Sequence, residues 1–174
     1  EIPIYEPGLE TLVKRGVEAG RLIFTSSTQD AVRETEIVFL AVGTPALPSG
    51  EPDLQSLRQA VEEIGQAMPG YRLIVNKSTV PIGSHLQVAL WLRQQTAHGF
   101  DVVSNPEFLK EGTAVEDFLR PDRVVIGTEK TEVFEKIKEL YAPFVRQGNP
   151  VLQMDPVSAE VTKYASNSFL ATRI

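Results

Sequence analysis

The chain has 174 residues, 42% hydrophobic and 23% charged, a globular balance with room for one substantial core but little for two. Its net charge of −6 and pI near 5 supply no basic footprint for nucleic acid or an anionic membrane surface, and no apolar run reaches the ~18 residues of a membrane span. It contains no cysteine, which excludes a disulfide-stapled fold and any thiol chemistry within these residues.

The chain opens Glu1-Ile2-Pro3, with no basic n-region and no apolar h-region, and its methionines are Met68 and Met154. The expectation is that sequence precedes Glu1 and that the default compartment is the cytoplasm. A helix-like stretch at Leu9–Ala19 leads to a candidate strand at Leu22–Thr25, then to a helix at Thr28–Glu34 with Thr28 placed as N-cap. Ile37–Val42 is a continuous apolar run of strand length, the pattern of a central parallel strand buried on both faces. After it come a helix at Asp53–Ala67, a strand at Arg72–Asn76, a helix at Ser84–Gln95 and a strand at Asp101–Ser104. The series continues with a strand at Val124–Gly127, a helix at Glu132–Tyr141 and a strand at Val151–Met154. From Ser158 to Ile174 the apolar residues recur near helical spacing and stop in mid-pattern, so the predicted helix looks cut at its end. Strict alternation predicts an α/β, Rossmann-like, doubly wound and mostly parallel sheet, truncated at both ends and followed by the start of a long central helix.

Such sheets bind ligands beyond the carboxyl ends of their strands, which directs attention to three segments. After Val42 stand Gly43-Thr44-Pro45, small residues that let a ligand approach the backbone, with one hydroxyl. An ordinary strand–helix loop would look the same. After Asn76 stand Lys77-Ser78-Thr79-Val80-Pro81-Ile82-Gly83. Pro81 keeps Val80 extended, presenting Ser78 and Thr79 ahead of the free N–H groups of the next helix. They could equally be turn and capping residues. After Ser104 stand Asn105-Pro106-Glu107-Phe108-Leu109-Lys110-Glu111-Gly112. If that turn is helical, Glu107 and Glu111 share a face, and mutual repulsion would raise one pKa and leave a proton acceptor near neutrality. A solvated acidic face is the plainer reading. Lys163 and Asn167 are another i, i+4 pair, able to hold a developing oxyanion or simply to lie on the surface. His85 and His98 have no partner at ligand spacing, so no metal site is predicted, and Trp91 reads as core.

Together with Ile2-Pro3-Ile4-Tyr5-Glu6-Pro7-Gly8-Leu9, Asp117-Phe118-Leu119-Arg120-Pro121-Asp122-Arg123 and Lys163-Tyr164-Ala165-Ser166-Asn167-Ser168-Phe169, these segments resemble the nucleotide-sugar 6-dehydrogenase family, most closely its UDP-glucose members. Each motif alone is weak, whereas six in order along nearly the whole chain are specific. The resemblance implies that residues 1–155 are part of an NAD-binding domain whose first strand–helix unit is missing. Residues 156–174 would begin a central helix that forms a homodimer. It implies oxidation of the C6 alcohol of UDP-glucose to a carboxylate with two NAD⁺, through a thiohemiacetal and a thioester on a cysteine. Thr79 would then order a catalytic water, and Glu107 would serve in thioester hydrolysis. Lys163 and Asn167 would stabilise the oxygen that gains charge, and Glu111 would face the nicotinamide ribose. Phe108, Leu109 and Lys110 would touch the sugar nucleotide, and Gly43, Thr44, Pro45 and Ser78 would line the NAD site.

The family's G-x-G-x-x-G turn is absent, since no two glycines here stand two apart, and so is its cysteine. The alternatives are a dehydrogenase of UDP-N-acetylmannosamine or GDP-mannose, or a cofactor-binding or dimerisation module without catalysis.

Overall fold

The computed structural model describes residues 2–145 and 148–173. In chain order its elements are α1 (Leu9–Glu18), α2 (Thr28–Arg33), β1 (Ile37–Leu40), α3 (Gln55–Ala67), β2 (Arg72–Asn76) and α4 (Ser84–Gln95), followed by β3 (Phe100–Ser104), α5 (Ala114–Leu119), β4 (Val124–Gly127), α6 (Thr131–Tyr141), β5 (Val151–Met154) and α7 (Pro156–Thr172). The sheet runs β1-β2-β3-β4-β5. β1, β2 and β3 are parallel, as are β4 and β5. The β3–β4 pair is antiparallel and meets only at Ser104–Gly127. That reversal departs from strict parallel winding. The connection between them carries only the short α5, which has no sustained apolar face in sequence and is an element that periodicity does not predict.

The two faces of the sheet feed separate cores. Ile74 packs with Val32, Leu57, Val61, Val88 and Leu92 from α2, α3 and α4. Its neighbours Leu73 and Val75 point the other way, to Val103, Ile126, Val133 and Ile137 of β3, β4 and α6. This is the period-2 alternation of a strand covered on both sides. Each such fully buried aliphatic contributes about 1.5–3 kcal/mol relative to exposure.

Leu22–Thr25 has strand composition, yet it forms no strand. Among the described residues none pairs with it, and Ile23 and Phe24 are 81% and 72% exposed. β1 ends at Leu40 instead of Val42, because β2 turns across it: Lys77 N–H and Ser78 N–H both donate to Leu40 O, at 2.9 and 3.1 Å. Helix α3 starts at Gln55, with Asp53 Oδ1 accepting from Gln55 N–H at 2.9 Å. In α2 the N-cap is Ser27, one residue before the predicted Thr28, with its Oγ accepting from Asp30 N–H at 3.2 Å.

Helix α7 starts at Pro156 behind an Asp155 cap that accepts from Ser158 N–H at 2.9 Å. It lies on β3 and β4. The close approach depends on Gly127: a Cβ there would stand 2.6 Å from Ala159 Cβ and 3.0 Å from Pro156 Cα. Any side chain at 127 would lift the start of α7 off the sheet, and Lys163 rides on that helix.

Candidate active site

The three segments after β1, β2 and β3 lie side by side at the carboxyl edge of the sheet, as its parallel register requires. The first two are stitched together. Ser78 Oγ donates to Val42 O at 2.8 Å, and Thr44 Oγ1 donates to Thr79 O at 2.7 Å. The 45–53 loop closes on itself through Asp53 N–H to Pro45 O at 2.7 Å and an Ala46–Pro52 bridge. Thr44 and Ser78 thus use their protons internally and keep lone pairs for a ligand. Gly43 and Pro45 are exposed, and a Cβ at Gly43 would meet no atom within 4 Å. An open, side-chain-poor strip of this kind fits one face of a flat ring system. No glycine-rich turn is present to cradle a pyrophosphate, so these residues suit the lining of a dinucleotide site, not its phosphate grip.

The N–H groups opening α4, predicted to be free for a ligand, are already taken. Glu160 on α7 is 4% exposed and accepts from Gly83 N–H at 2.6 Å, His85 N–H at 2.9 Å and Ser104 Oγ at 3.2 Å, with His85 Nδ1 also 3.2 Å away. A buried carboxylate from another helix satisfies the N-terminus and complements its dipole. His85 is therefore structural, in contact with the clamp that holds α7 to α4.

The third segment is charged. Lys163 Nζ is 2.6 Å from Glu107 Oε1 and 2.7 Å from Glu107 O, and the Lys163 side chain is only 9% exposed. The 105–110 stretch is not helical, since Pro106 interrupts it and Gly112 turns it with φ +87°. Glu107 and Glu111 therefore do not share a helical face. The partner of Glu107 is an ammonium, and Glu111 is exposed. Glu107 Oε2 also accepts from Leu109 N–H at 2.6 Å, bending the loop back on itself.

Glu107, Phe108, Leu109 and Lys110 line a cavity of about 200 Å³. The Arg123 guanidinium lies 4.3 Å from the centre of the Phe108 ring. At its floor Lys77 Nζ is 3.3 Å from Tyr141 OH and 3.4 Å from Asn105 Oδ1, while Tyr141 OH donates to Asn105 Oδ1 at 2.6 Å. Burial pulls the Lys77 ammonium down to about 8; the Glu107 carboxylate opposes that and Lys163 adds to it. Burial likewise pushes Tyr141 up to about 12. A second cavity of about 10 Å³, the size of one water, is lined by Asn76, Thr79, Glu160 and Lys163 among others. Asn76 Oδ1 is buried there and accepts no hydrogen bond from the described residues.

Of the predicted site residues, the fold gathers Glu107 with Lys163, Thr79 with Lys163, and Thr44 with Ser78. Asn167 is exposed, one turn beyond Lys163 on α7. Sequence reasoning passes over Lys77, Arg123 and Glu160. The signals were faint: a lysine ending a buried run, an arginine opening one, and a glutamate beside Ala159 in an otherwise apolar helix start.

A largely parallel sheet with helices on both faces and small or hydroxylated residues at its carboxyl edge is a dinucleotide-binding architecture. The family model of the UDP-glucose/GDP-mannose dehydrogenase NAD binding domain matches residues 1–145. The chain is 46% identical to a UDP-glucose 6-dehydrogenase of Pseudomonas aeruginosa, over 100% of this chain and 40% of that protein. It is 45% identical to one of Bacillus subtilis, over 99% and 37%. Among solved structures, a UDP-glucose dehydrogenase of Pyrobaculum islandicum superposes with TM-score 0.91 at 42% identity, covering 97% of this chain and 40% of that one. A GDP-mannose dehydrogenase of Pseudomonas aeruginosa gives TM-score 0.92 at 32% identity, over 99% and 41%. The chain belongs to the UDP-glucose/GDP-mannose dehydrogenase family and carries its NAD-binding domain. It spans about 40% of the length of these relatives. Among the described residues, no helix is long and apolar enough to cross a membrane.

Proposed function

We propose that the protein containing this chain is a cytoplasmic, homodimeric NAD-dependent dehydrogenase that oxidises UDP-glucose at C6 to the carboxylate. NAD, when bound, supplies the hydride acceptor. The observation that carries it is the ion pair of Lys163 with Glu107, 2.6 Å long and set where the parallel strands end. An ammonium held there can stabilise the oxygen at C6 as it gains charge. Asn167, one turn further along α7, reaches the same oxygen once substrate is seated. Thr79, beside the water-sized cavity it shares with Lys163, orders the water that attacks the acyl intermediate. Glu107 takes that water's proton and becomes neutral, which frees Lys163 to stay on the oxyanion that forms until the thiolate of the thioester leaves.

Gly43, Thr44, Pro45 and Ser78 line the cofactor, with Glu111 toward its ribose, while the Phe108–Lys110 backbone receives the sugar nucleotide. Residues 1–155 form part of the cofactor domain, without its first strand–helix unit, and residues 156–174 begin the dimerising helix, on which Val161, Tyr164, Phe169 and Leu170 are exposed. UDP-glucose is preferred to GDP-mannose as substrate because the UDP-glucose relatives are the more similar in sequence, 42–46% against 32%.

The test separates hydride transfer from hydrolysis. In the full-length protein mixed with UDP-glucose and NAD⁺, Glu107→Gln should give a first NADH burst near the wild-type rate and accumulate a covalent acyl adduct, seen as a stoichiometric mass increase. An unmodified variant with a slow first burst would mean that Glu107 acts before hydrolysis, and its assigned role would fall.

A further inference from the structure

The segment before α1 has no part in the chemistry above, yet it reaches the loop that does. Glu6-Pro7-Gly8-Leu9 closes as a type II turn: Gly8 has φ 84° and ψ −17°, and Leu9 N–H donates to Glu6 O at 3.1 Å. Proline in the second position and glycine in the third are what that turn requires. The turn sets Glu6 on a rigid corner. From there its carboxylate spans over a hundred residues of sequence: Oε2 accepts from Gly112 N–H at 2.9 Å, and Oε1 from Ala114 N–H at 2.8 Å.

The 106–113 loop has no strand or helix ladder to hold it; Thr113 N–H goes to Lys110 O, and four other N–H groups along it and at its exit are taken by carboxylates. Leu109 N–H goes to Glu107 Oε2, Lys110 N–H to Asp117 Oδ2 at 2.9 Å, and Gly112 and Ala114 N–H to Glu6. Glu107 and Asp117 are local, so by those bonds they shape the loop without fixing it to the molecule. Two tethers come from far away: Lys163 at the loop's start, on Glu107, and Glu6 at its end. Phe108, Leu109, Lys110 and Glu111 lie between them.

We propose that Glu6 is a positioning residue, a strap that holds the Phe108–Glu111 loop in the shape that receives the sugar nucleotide. Identifying the ligand rests on the function proposed above; the strap itself does not. Glu6 is not among the residues lining the cavity, so it acts through the loop.

In the full-length protein, Glu6→Ala should speed amide hydrogen exchange across Leu109–Val115 at least tenfold. It should also raise KM for UDP-glucose about tenfold, the scale of one charge-assisted hydrogen bond, with KM for NAD⁺ within twofold of wild type. Glu6→Gln, which keeps the side-chain shape and one acceptor oxygen, should fall between and guards against a folding defect in the alanine variant. Unchanged exchange in both variants would overturn the strap. Faster exchange with an unchanged KM for UDP-glucose would reduce Glu6 to a structural cap and overturn its role in substrate binding. A wild-type protein that oxidises no nucleotide sugar strikes at the proposed function; exchange alone would then support or overturn the strap.

Discussion

The two sides of the candidate site are built in opposite ways. Where β1 and β2 end, most polar side chains are committed to the protein: Ser78 to Val42, Thr44 to Thr79, and Glu160 to Gly83, His85 and Ser104, with Asn76 Oδ1 the exception. Where β3 ends, and at Lys77 just past β2 on the floor of the same cavity, the polar groups are charged and only partly committed. Lys163 holds Glu107, Lys77 hydrogen-bonds among the described residues to neutral partners at 3.3 and 3.4 Å, and Glu111 and Asn167 face solvent. A wall of satisfied groups offers shape and does not reorganise, which suits holding a cofactor. A set of charges with spare capacity can respond as charge moves in a reaction, and preorganised charge is where most rate enhancement arises. On the function proposed above, the first set lines the cofactor and the second carries the chemistry, with Thr79 the residue of the β2 end that serves the reaction, and substitutions in each set should separate the two.

The sharpest separation is expected at Lys163. In the full-length protein, Lys163→Ala should lower turnover by roughly 10²-fold or more, with KM for both substrates changed only a few-fold. Steady-state kinetics decides it. Turnover within threefold of wild type would erase the contrast between the two sides.

A smaller effect is expected at Lys77, read in stability. Its ammonium is held at about 8 in the folded protein against 10.5 ordinarily, with burial the leading cause. Below pH 8 both states are charged, and the cost of burying the charge is present in full. Between 8 and 10.5 the unfolded chain binds more protons, so stability from this group rises with pH. The rise should be about 2 kcal/mol after allowing for partial exposure. Denaturant unfolding from pH 7 to 9.5, below the pH near 10 where Tyr141 ionises in the unfolded chain, should show most of that rise in wild type and lose it in Lys77→Met. Parallel curves would mean that Lys77 is solvated like a surface lysine.

How much of this was legible before the fold is clear from particular segments. Arg72–Asn76 and Val124–Gly127 announce themselves as buried strands. Ile37–Leu40, expected to be central and buried on both faces, lies instead at the edge of the sheet, with only Leu40 buried and Phe39 40% exposed. An apolar run does not report its place in the strand order. Leu22–Thr25 carries the same composition, yet no described residue pairs with it, and composition alone does not report pairing. Spacing also misleads at Glu107 and Glu111: four residues apart means one face only in a helix, and Pro106 and Gly112 prevent one. The contact of Lys163 with Glu107 joins residues 56 apart in sequence, and no periodicity encodes it. Family resemblance named both residues and not their pairing. The reach of Glu6 to Gly112 and Ala114, still longer in sequence, was visible only as a turn motif of unassigned purpose.

The smallest effect probes the cofactor wall. Thr44→Val removes the 2.7 Å bond to Thr79 O and keeps the side-chain shape, so the wall loses one stitch and no volume. A net loss of about 1 kcal/mol in stability is expected, the ordinary contribution of a single neutral hydrogen bond. If Thr44 serves the cofactor only by shaping this wall, KM for NAD⁺ should rise no more than about fivefold, in proportion to that loss. Thr44→Ser, which keeps the hydroxyl, should restore both. A rise of 10²-fold in KM for NAD⁺ with stability little changed would mean that the Thr44 hydroxyl bonds the cofactor directly, and the β1–β2 edge would then share the reactive character assigned to the β3 side. A variant unchanged in both measurements would show that the stitch at Thr44 does not form the wall, leaving Ser78 and the Glu160 clamp to hold it.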